Sequence, residues 1–153
     1  MPKYTEEKAL QRLTSLCAAA EYCSCDILEK MSRWELDEHE QARIMAYLIK
    51  EKYVDDERFC RAYIESKIRF NQWGRRKIEQ GLYRKRIPRT VSNPLFSEID
   101  SEQWMAVLVP LLDEKRRTVK ARNDFELRCK LINFALQRGF EMNLIEEALK
   151  RQS

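Results

Sequence analysis

Residues 73–87 read WGRRKIEQGLYRKRI, and residues 22–36, YCSCDILEKMSRWEL, carry the same pattern 51 positions earlier. Tyr22, Asp26-Ile27, Met31 and Leu36 return as Trp73, Lys77-Ile78, Leu82 and Ile87 with every internal spacing kept. A third copy fits the carboxyl end, where Lys130-Leu131, Ala135 and Phe140 repeat the intervals of Lys77-Ile78, Leu82 and Ile87. A period near fifty residues marks an array of supersecondary units, each too small to bury its apolar face alone. The copies agree at apolar positions and diverge in charge. Asp26 stands where the second copy has Lys77, flanked by Arg75 and Arg76. A shared core with divergent surfaces points to the surfaces as the working parts.

Around these copies the chain of 153 residues is 44% hydrophobic and 35% charged, with only 3 Gly and 4 Pro. Few breakers and many Glu, Lys, Arg, Leu and Ala residues argue for helices throughout. The expected fold is therefore all-α: an elongated tandem array of three three-helix modules, spanning 1–53, 54–98 and 99–153. There is no strand alternation and no Asn-Gly hairpin signal. No run of about 18 apolar residues exists, so no membrane span is expected. The amino end, MPKYTEEKAL, lacks the apolar segment of a secretory signal, and the chain reads as cytoplasmic.

The net charge of +4 hides an asymmetry. Residues 1–60 hold 9 basic and 13 acidic side chains, a net of −4. Residues 61–90 hold 10 basic and 2 acidic, a net of +8, whereas residues 91–153 hold 10 of each. A basic middle between acidic and neutral flanks predicts an anionic partner met by the central module.

Element boundaries follow from caps and stripes. Thr5 is placed to cap a first helix with Leu10, Leu13, Leu16, Cys17 and Ala20 on one face. Ser24 is placed to cap a short second helix facing inward through Ile27 and Met31, and Asp37 a third carrying Ile44, Met45 and Leu48. Asp55-Asp56-Glu57 opens the fourth, with carboxylates at the positive end of its dipole. The fifth runs from about Arg75 to Arg86, and Gly81 inside it signals close packing. Pro88 and Asn93-Pro94 mark a short or irregular sixth helix. Asp100 or Ser101 starts a seventh in which Pro110 predicts a kink or a late start. Lys115 to Arg122 reads as a basic helix end or loop. Phe125 to Gln137 is an eighth helix, closed by Gly139 in a left-handed cap, and Leu144, Ile145, Ala148 and Leu149 line a last one.

Catalytic chemistry finds little support. The single histidine, His39, lies between Glu38 and Glu40 on a polar face, without a nucleophile or orienting partner at a useful spacing. No Gly-rich phosphate loop occurs. Five cysteines (Cys17, Cys23, Cys25, Cys60 and Cys129) follow no disulfide framework, and Cys23-x-Cys25 is too tight for a zinc pair. No cofactor is expected, and the chain does not read as an enzyme. Trp34, Trp73 and Trp104 raise base stacking, but their places at element boundaries suit packing between modules better.

The basic cluster is more telling. Helical steps of 100° put Ile78, Leu82 and Lys85 toward one side of the fifth helix and Arg76, Lys77, Gln80 and Arg84 toward the other. Arg75 opens that ridge, Arg61 and Arg69 precede it, Lys85 borders it and counts with it as a candidate contact, and Arg86 and Arg89 extend it. A solvated face interleaves both signs, whereas this stretch has ten cations and two anions. Lys115, Arg116, Arg117, Lys120 and Arg122 form a second basic patch. Either a nucleic-acid backbone or an acidic protein groove would satisfy the ridge.

Residues 53–63, YVDDERFCRAY, resemble the signature of the regulatory protein RecX family, in which a segment of the type GYLDDERFARAY joins the first module to the second. Trp73-Gly74, Lys77-Ile78, Leu82, Lys85 and Ile87 look like its second-module helix, and Arg138-Gly139-Phe140 with Ile145 and Ala148-Leu149 like its ending. The similarity covers about residues 5 to 150. It implies three tandem three-helix modules and a non-enzymatic regulator that binds RecA recombinase filaments on single-stranded DNA. Such a protein inhibits filament extension, ATPase and strand exchange, and so modulates DNA repair, homologous recombination and the SOS response. The chain departs from the family pattern at Lys52 and Arg86, where Gly is common, at Arg33-Trp34, which replaces a Lys-Gly pair, and at Gly81. A monomer is expected, with RecA and single- or double-stranded DNA as partners. The alternative is a sequence-independent DNA-binding protein that acts without a recombinase.

Overall fold

The computed structural model describes residues 4–152. Among these residues the secondary structure is helical throughout: α1 (Glu6–Ala19), α2 (Ser24–Arg33), α3 (Glu38–Lys50), α4 (Asp56–Asn71), α5 (Arg75–Arg84), α6 (Arg89–Ser97), α7 (Ser101–Thr118), α8 (Asp124–Gln137) and α9 (Met142–Arg151). The helices follow one another as three triplets. The accessible surface is 10193 Å². A compact monomer of this mass would expose about 8,200 Å², so the array is extended.

Polar caps start most of the helices. Thr5 Oγ1 accepts from Lys8 N–H at 3.1 Å, Asp55 from Arg58 N–H at 3.1 Å, and Asn123 from Glu126 N–H at 2.8 Å. Asp37 with Glu40, and Asp100 with Gln103, form reciprocal capping boxes. At α2 the expected cap moves by one residue. Ser24 is already helical, and Cys23 N–H donates to the Asp26 carboxylate at 3.2 Å. Ser24 N–H is instead taken by Asp56 Oδ1 of α4, at 2.8 Å.

The repeat is visible as backbone. Glu35, Arg86 and Gly139 occupy the left-handed region at φ 60°, 57° and 94°, each one residue before the buried Leu36, Ile87 or Phe140. Leu36 N–H donates to Met31 O, Ile87 N–H to Leu82 O, and Phe140 N–H to Ala135 O, at 3.2, 3.0 and 3.1 Å. This is the same carbonyl-capping bond three times over, and it ends the second helix of each triplet. Ile27, Ile78 and Leu131 are its buried counterparts one turn earlier. The first of these turns falls at Glu35, not at Arg33-Trp34.

Both prolines inside helices are accommodated. Pro94 lies within α6, which at nine residues is the short helix expected and not an irregular one, and α7 starts at Ser101 and runs through Pro110, which removes the late start. Each proline frees the carbonyl four residues earlier, at Thr90 and Ala106. All four residues are exposed, so water can take the freed carbonyls.

Two apolar clusters form the interior. The first triplet packs Ala9, Leu13, Ile27, Met31, Leu36, Ile44, Leu48 and Val54 around one another. The second and third share a single cluster that runs from Phe59 and Ile64 through Ile78, Leu82 and Phe96 to Leu108, Leu131 and Phe140. The joints between triplets differ accordingly. Between the second and third, Gly74 N–H donates to Arg138 O at 2.7 Å and Arg76 N–H to Gly139 O at 3.0 Å. A Cβ on Gly74 would collide with the backbone of Gly139 and Phe140, so only glycine permits this approach. Gly81 likewise yields its side-chain space to the Tyr63 hydroxyl.

The first joint adds ion pairs to a small apolar contact, in which Cys23 enters the cluster of the second and third triplets. Lys85 Nζ pairs with Asp26 Oδ1 at 2.6 Å, and Arg58 Nε with Glu21 at 2.6 Å. Burial pushes the Asp26 carboxyl upward, but the Lys85 hydrogen bond and the Cys23 N–H outweigh it and hold its pKa below the usual value. The same hydrogen bond raises Lys85. All five cysteines are free. Burial pushes the thiols of Cys23 and Cys60 up to about 12 and about 11, so both stay protonated at neutral pH.

Candidate functional site

Four arginines of the second triplet, Arg76, Arg84, Arg86 and Arg89, are exposed and make no ion pair or side-chain hydrogen bond among the described residues. Packing leaves them free. Helix α5 buries Ile78 and Leu82 against the shared core, which turns Arg76, Gln80 and Arg84 outward. The left-handed turn at Arg86 reverses the chain and brings Arg89, in the first turn of α6, alongside. A shallow groove results, lined by Arg76, Gln80, Tyr83, Arg84 and Arg89. Glu79 also reaches it, but lies 3.5 Å from Arg75. A second depression that also touches Tyr83 is lined by Arg84, Arg86, Pro88 and Arg89. Three unpaired guanidinium groups line each hollow, Arg84 and Arg89 being common to both, and together they form a locally positive surface that suits phosphates or carboxylates.

The other cations predicted for the ridge each have a neighbouring carboxylate or ring. Arg61 pairs with Glu98 at 2.7 Å. The Arg69 guanidinium lies 5.4 Å from the Phe70 ring centre, and Arg75 lies 4.8 Å from that of Phe96. Lys77 rests on Trp73 at 4.8 Å, and Lys67 lies at the same distance from that ring. Lys85 is committed to Asp26, in the joint with the first triplet. The fifth helix thus divides its cations between partner-free ones on its outer face and structural ones at its flanks.

The second basic patch is more dispersed. Lys115 stacks on Phe134 at 5.0 Å, Arg116 donates to Gln152 at 2.9 Å, and Arg122 pairs with Glu126 at 2.9 Å. Lys120 is exposed and its carbonyl accepts from Lys130, while Arg117 is exposed without an ion pair among the described residues. These residues belong to the end of α7 and the turn beyond it.

The tryptophans are packing residues. Trp104 is buried edge-on against Phe140, Trp73 has two ammonium groups over its ring, and Trp34 stacks on Tyr4 with ring centres 4.5 Å apart. The aromatic that does stand in the open is Tyr83, 82% exposed. Its signal was available: Tyr83 lies seven residues after Arg76, on the same line along α5, where an apolar side chain gains nothing from the core. His39 is exposed on α3. Among the described residues no group of three or more His, Cys, Asp or Glu side chains could hold a metal, and no helix is long and apolar enough to cross a membrane.

The fold and this surface define a class: tandem three-helix units that present a cationic face. Comparison with known proteins narrows it. Residues 55–93 match the family model described as RecX, second three-helix domain, and residues 101–149 match RecX, third three-helix domain. The regulatory protein RecX of Chlorobium limicola is 26% identical over 153 residues, spanning 99% of this chain and 93% of its own. That of Acinetobacter baylyi is 28% identical over 137 residues, covering 90% and 83%. A crystal structure of regulatory protein RecX superposes with a TM-score of 0.87 at 18% identity, over 95% of this chain and 73% of that one. RecX from Lactobacillus salivarius does so at 0.85 and 14%, over 95% of both. The chain belongs to the RecX family of regulatory proteins.

Proposed function

We propose that this chain regulates the RecA recombinase by lying along RecA filaments on single-stranded DNA and suppressing their extension, ATPase and strand exchange. Membership of the RecX family supports the regulatory role. The observation that carries the mode of action is the group of unpaired arginines, Arg76, Arg84, Arg86 and Arg89, on the outer face of the second unit. An extended array with modules at 1–53, 54–98 and 99–153 can contact several filament subunits at once. The cationic second module then meets acidic protein surface or DNA phosphates, and the acidic first module fixes orientation by charge complementarity. Regulation of this kind is steric and needs no catalytic group.

The test is ATP hydrolysis by the host RecA on single-stranded DNA while this protein is titrated well below the recombinase concentration. A fall at substoichiometric amounts is the expected result, because one bound molecule blocks growth past its position. Unchanged hydrolysis together with tight, salt-sensitive binding to bare DNA would replace this reading with DNA binding independent of a recombinase.

A further inference from the structure

We infer that Tyr83 and its surrounding arginines form a stacking site for a base of single-stranded nucleic acid. This rests on the reading of the arginine patch as the partner-facing surface and adds the chemistry of what it grips. Three observations converge. Tyr83 is 82% exposed on a helix whose buried stripe, Ile78 and Leu82, faces the other way. It makes no ring contact or hydrogen bond through its side chain among the described residues. Tyr83 lines two adjoining hollows whose cations are arginines left without anionic partners: Arg76, Arg84 and Arg89 in one, Arg84, Arg86 and Arg89 in the other.

A flat aromatic face beside guanidinium groups matches a nucleotide, which carries a planar base and an anionic phosphate on one unit. Stacking on an aromatic side chain accepts any base, since every base has a π-face, and guanidinium groups hold the backbone without reading sequence. An acidic peptide would satisfy the arginines but leave the ring face idle. A duplex offers phosphates but keeps its base faces covered within the stack. Arg76 lies about 10 Å along the helix from Tyr83, at 1.5 Å per residue, so the cluster spans more than one nucleotide of an extended strand. Tyr83 is thereby the element that favours a single strand over a duplex, and the arginines supply affinity common to both.

The experiment uses the full chain without any recombinase. Binding of fluorescein-labelled oligodeoxythymidine, an abasic strand of equal length and a duplex is measured at one salt concentration for wild type, Tyr83→Phe and Tyr83→Ala. Circular dichroism verifies that helicity is kept. Tyr83→Ala is expected to weaken oligodeoxythymidine binding roughly tenfold, the loss of one base stack. Binding to the abasic strand and the duplex stays within twofold, and Tyr83→Phe retains wild-type affinity. Equal losses on base-bearing and abasic strands would overturn the inference, as would undiminished binding by Tyr83→Ala or failure of the wild type to bind any strand. Competition by polyglutamate that depends on Tyr83 would assign the patch to an acidic protein and overturn it too. Because RecA is absent, none of these outcomes decides whether hydrolysis is inhibited, so the stacking site and the regulatory reading fail separately.

Discussion

Replacing Gly74 by alanine adds one methyl group and should loosen the joint between the second and third units. Gly74 has φ −86° and ψ 173°, a conformation open to any L-residue, so backbone strain plays no part. The cost is steric. The new Cβ would meet the backbone of Gly139 and Phe140, neither of which can rotate away as a side chain would. To make room, the bonds from Gly74 N–H to Arg138 O (2.7 Å) and from Arg76 N–H to Gly139 O (3.0 Å) must lengthen or break. Two such bonds contribute about 1 kcal/mol each, and overpacking costs about 1–3 kcal/mol more. The stiffer unfolded chain returns about 0.4–1 kcal/mol. The net loss is about 2–4.6 kcal/mol, or roughly 4–18 °C in Tm for a chain of this size. Urea titration of fluorotryptophan-labelled protein, followed by fluorine NMR, separates the units, because Trp34 reports the first cluster and Trp104 the one shared by the other two. The Trp104 resonance should lose its native shift at lower urea in the variant, while the Trp34 transition barely moves. Stability within about 0.5 kcal/mol of wild type would refute the close backbone contact, because alanine is otherwise tolerated there.

Other expectations concern the first joint and the left-handed turns. Lys85→Met strands the mostly buried Asp26 carboxylate and should cost about 1–2 kcal/mol, discounted for the partial exposure of Lys85. The depressed Asp26 pKa makes its contribution present above the ordinary carboxylate range, and it is lost as pH falls through the lower folded value; the raised Lys85 pKa makes its share fade only at strongly alkaline pH. Urea melts of both proteins from neutral pH down to about pH 2 should therefore converge at the acid end, and a gap that stays constant would contradict the ion pair. Lys52, at φ 62°, is exposed, so Lys52→Gly should stabilise by up to about 1 kcal/mol by relieving a left-handed lysine. A loss of stability would show that Lys52 makes a contact that outweighs its strain.

Much of the architecture was legible because it repeats. The 51-residue shift places Ile27 on Ile78 and Met31 on Leu82, all of them buried, and Glu35 on Arg86, both left-handed. Apolar spacing and capping residues are local signals, so the helices rooted at Thr5, Asp37, Asp55 and Asp100 follow from them. The prolines left open alternatives, an irregular sixth helix and a late seventh, that the structure removes, because their effect depends on what surrounds the freed carbonyl. Pro94 and Pro110 face solvent, a tertiary fact that composition does not carry. The ridge was half legible. Helical angles gave the outward direction of Arg76 and Arg84, but which cations already have partners depends on contacts across units, such as Lys85 with Asp26, 59 residues away in the chain. Trp73 and Tyr83 show the same limit in reverse. Tryptophan drew notice by its size, yet Trp73 has two lysines over its ring while Tyr83 stands free.

The most direct test of the central claim is the triple variant Arg76→Glu, Arg84→Glu, Arg89→Glu in the RecA hydrolysis assay on single-stranded DNA. These residues are exposed and unpaired among the described residues, so their reversal should leave the helical content and melting temperature close to wild type. The account predicts that wild type suppresses hydrolysis at substoichiometric amounts and that the variant does not. Undiminished suppression by a folded variant would contradict it and move the working surface away from the second unit.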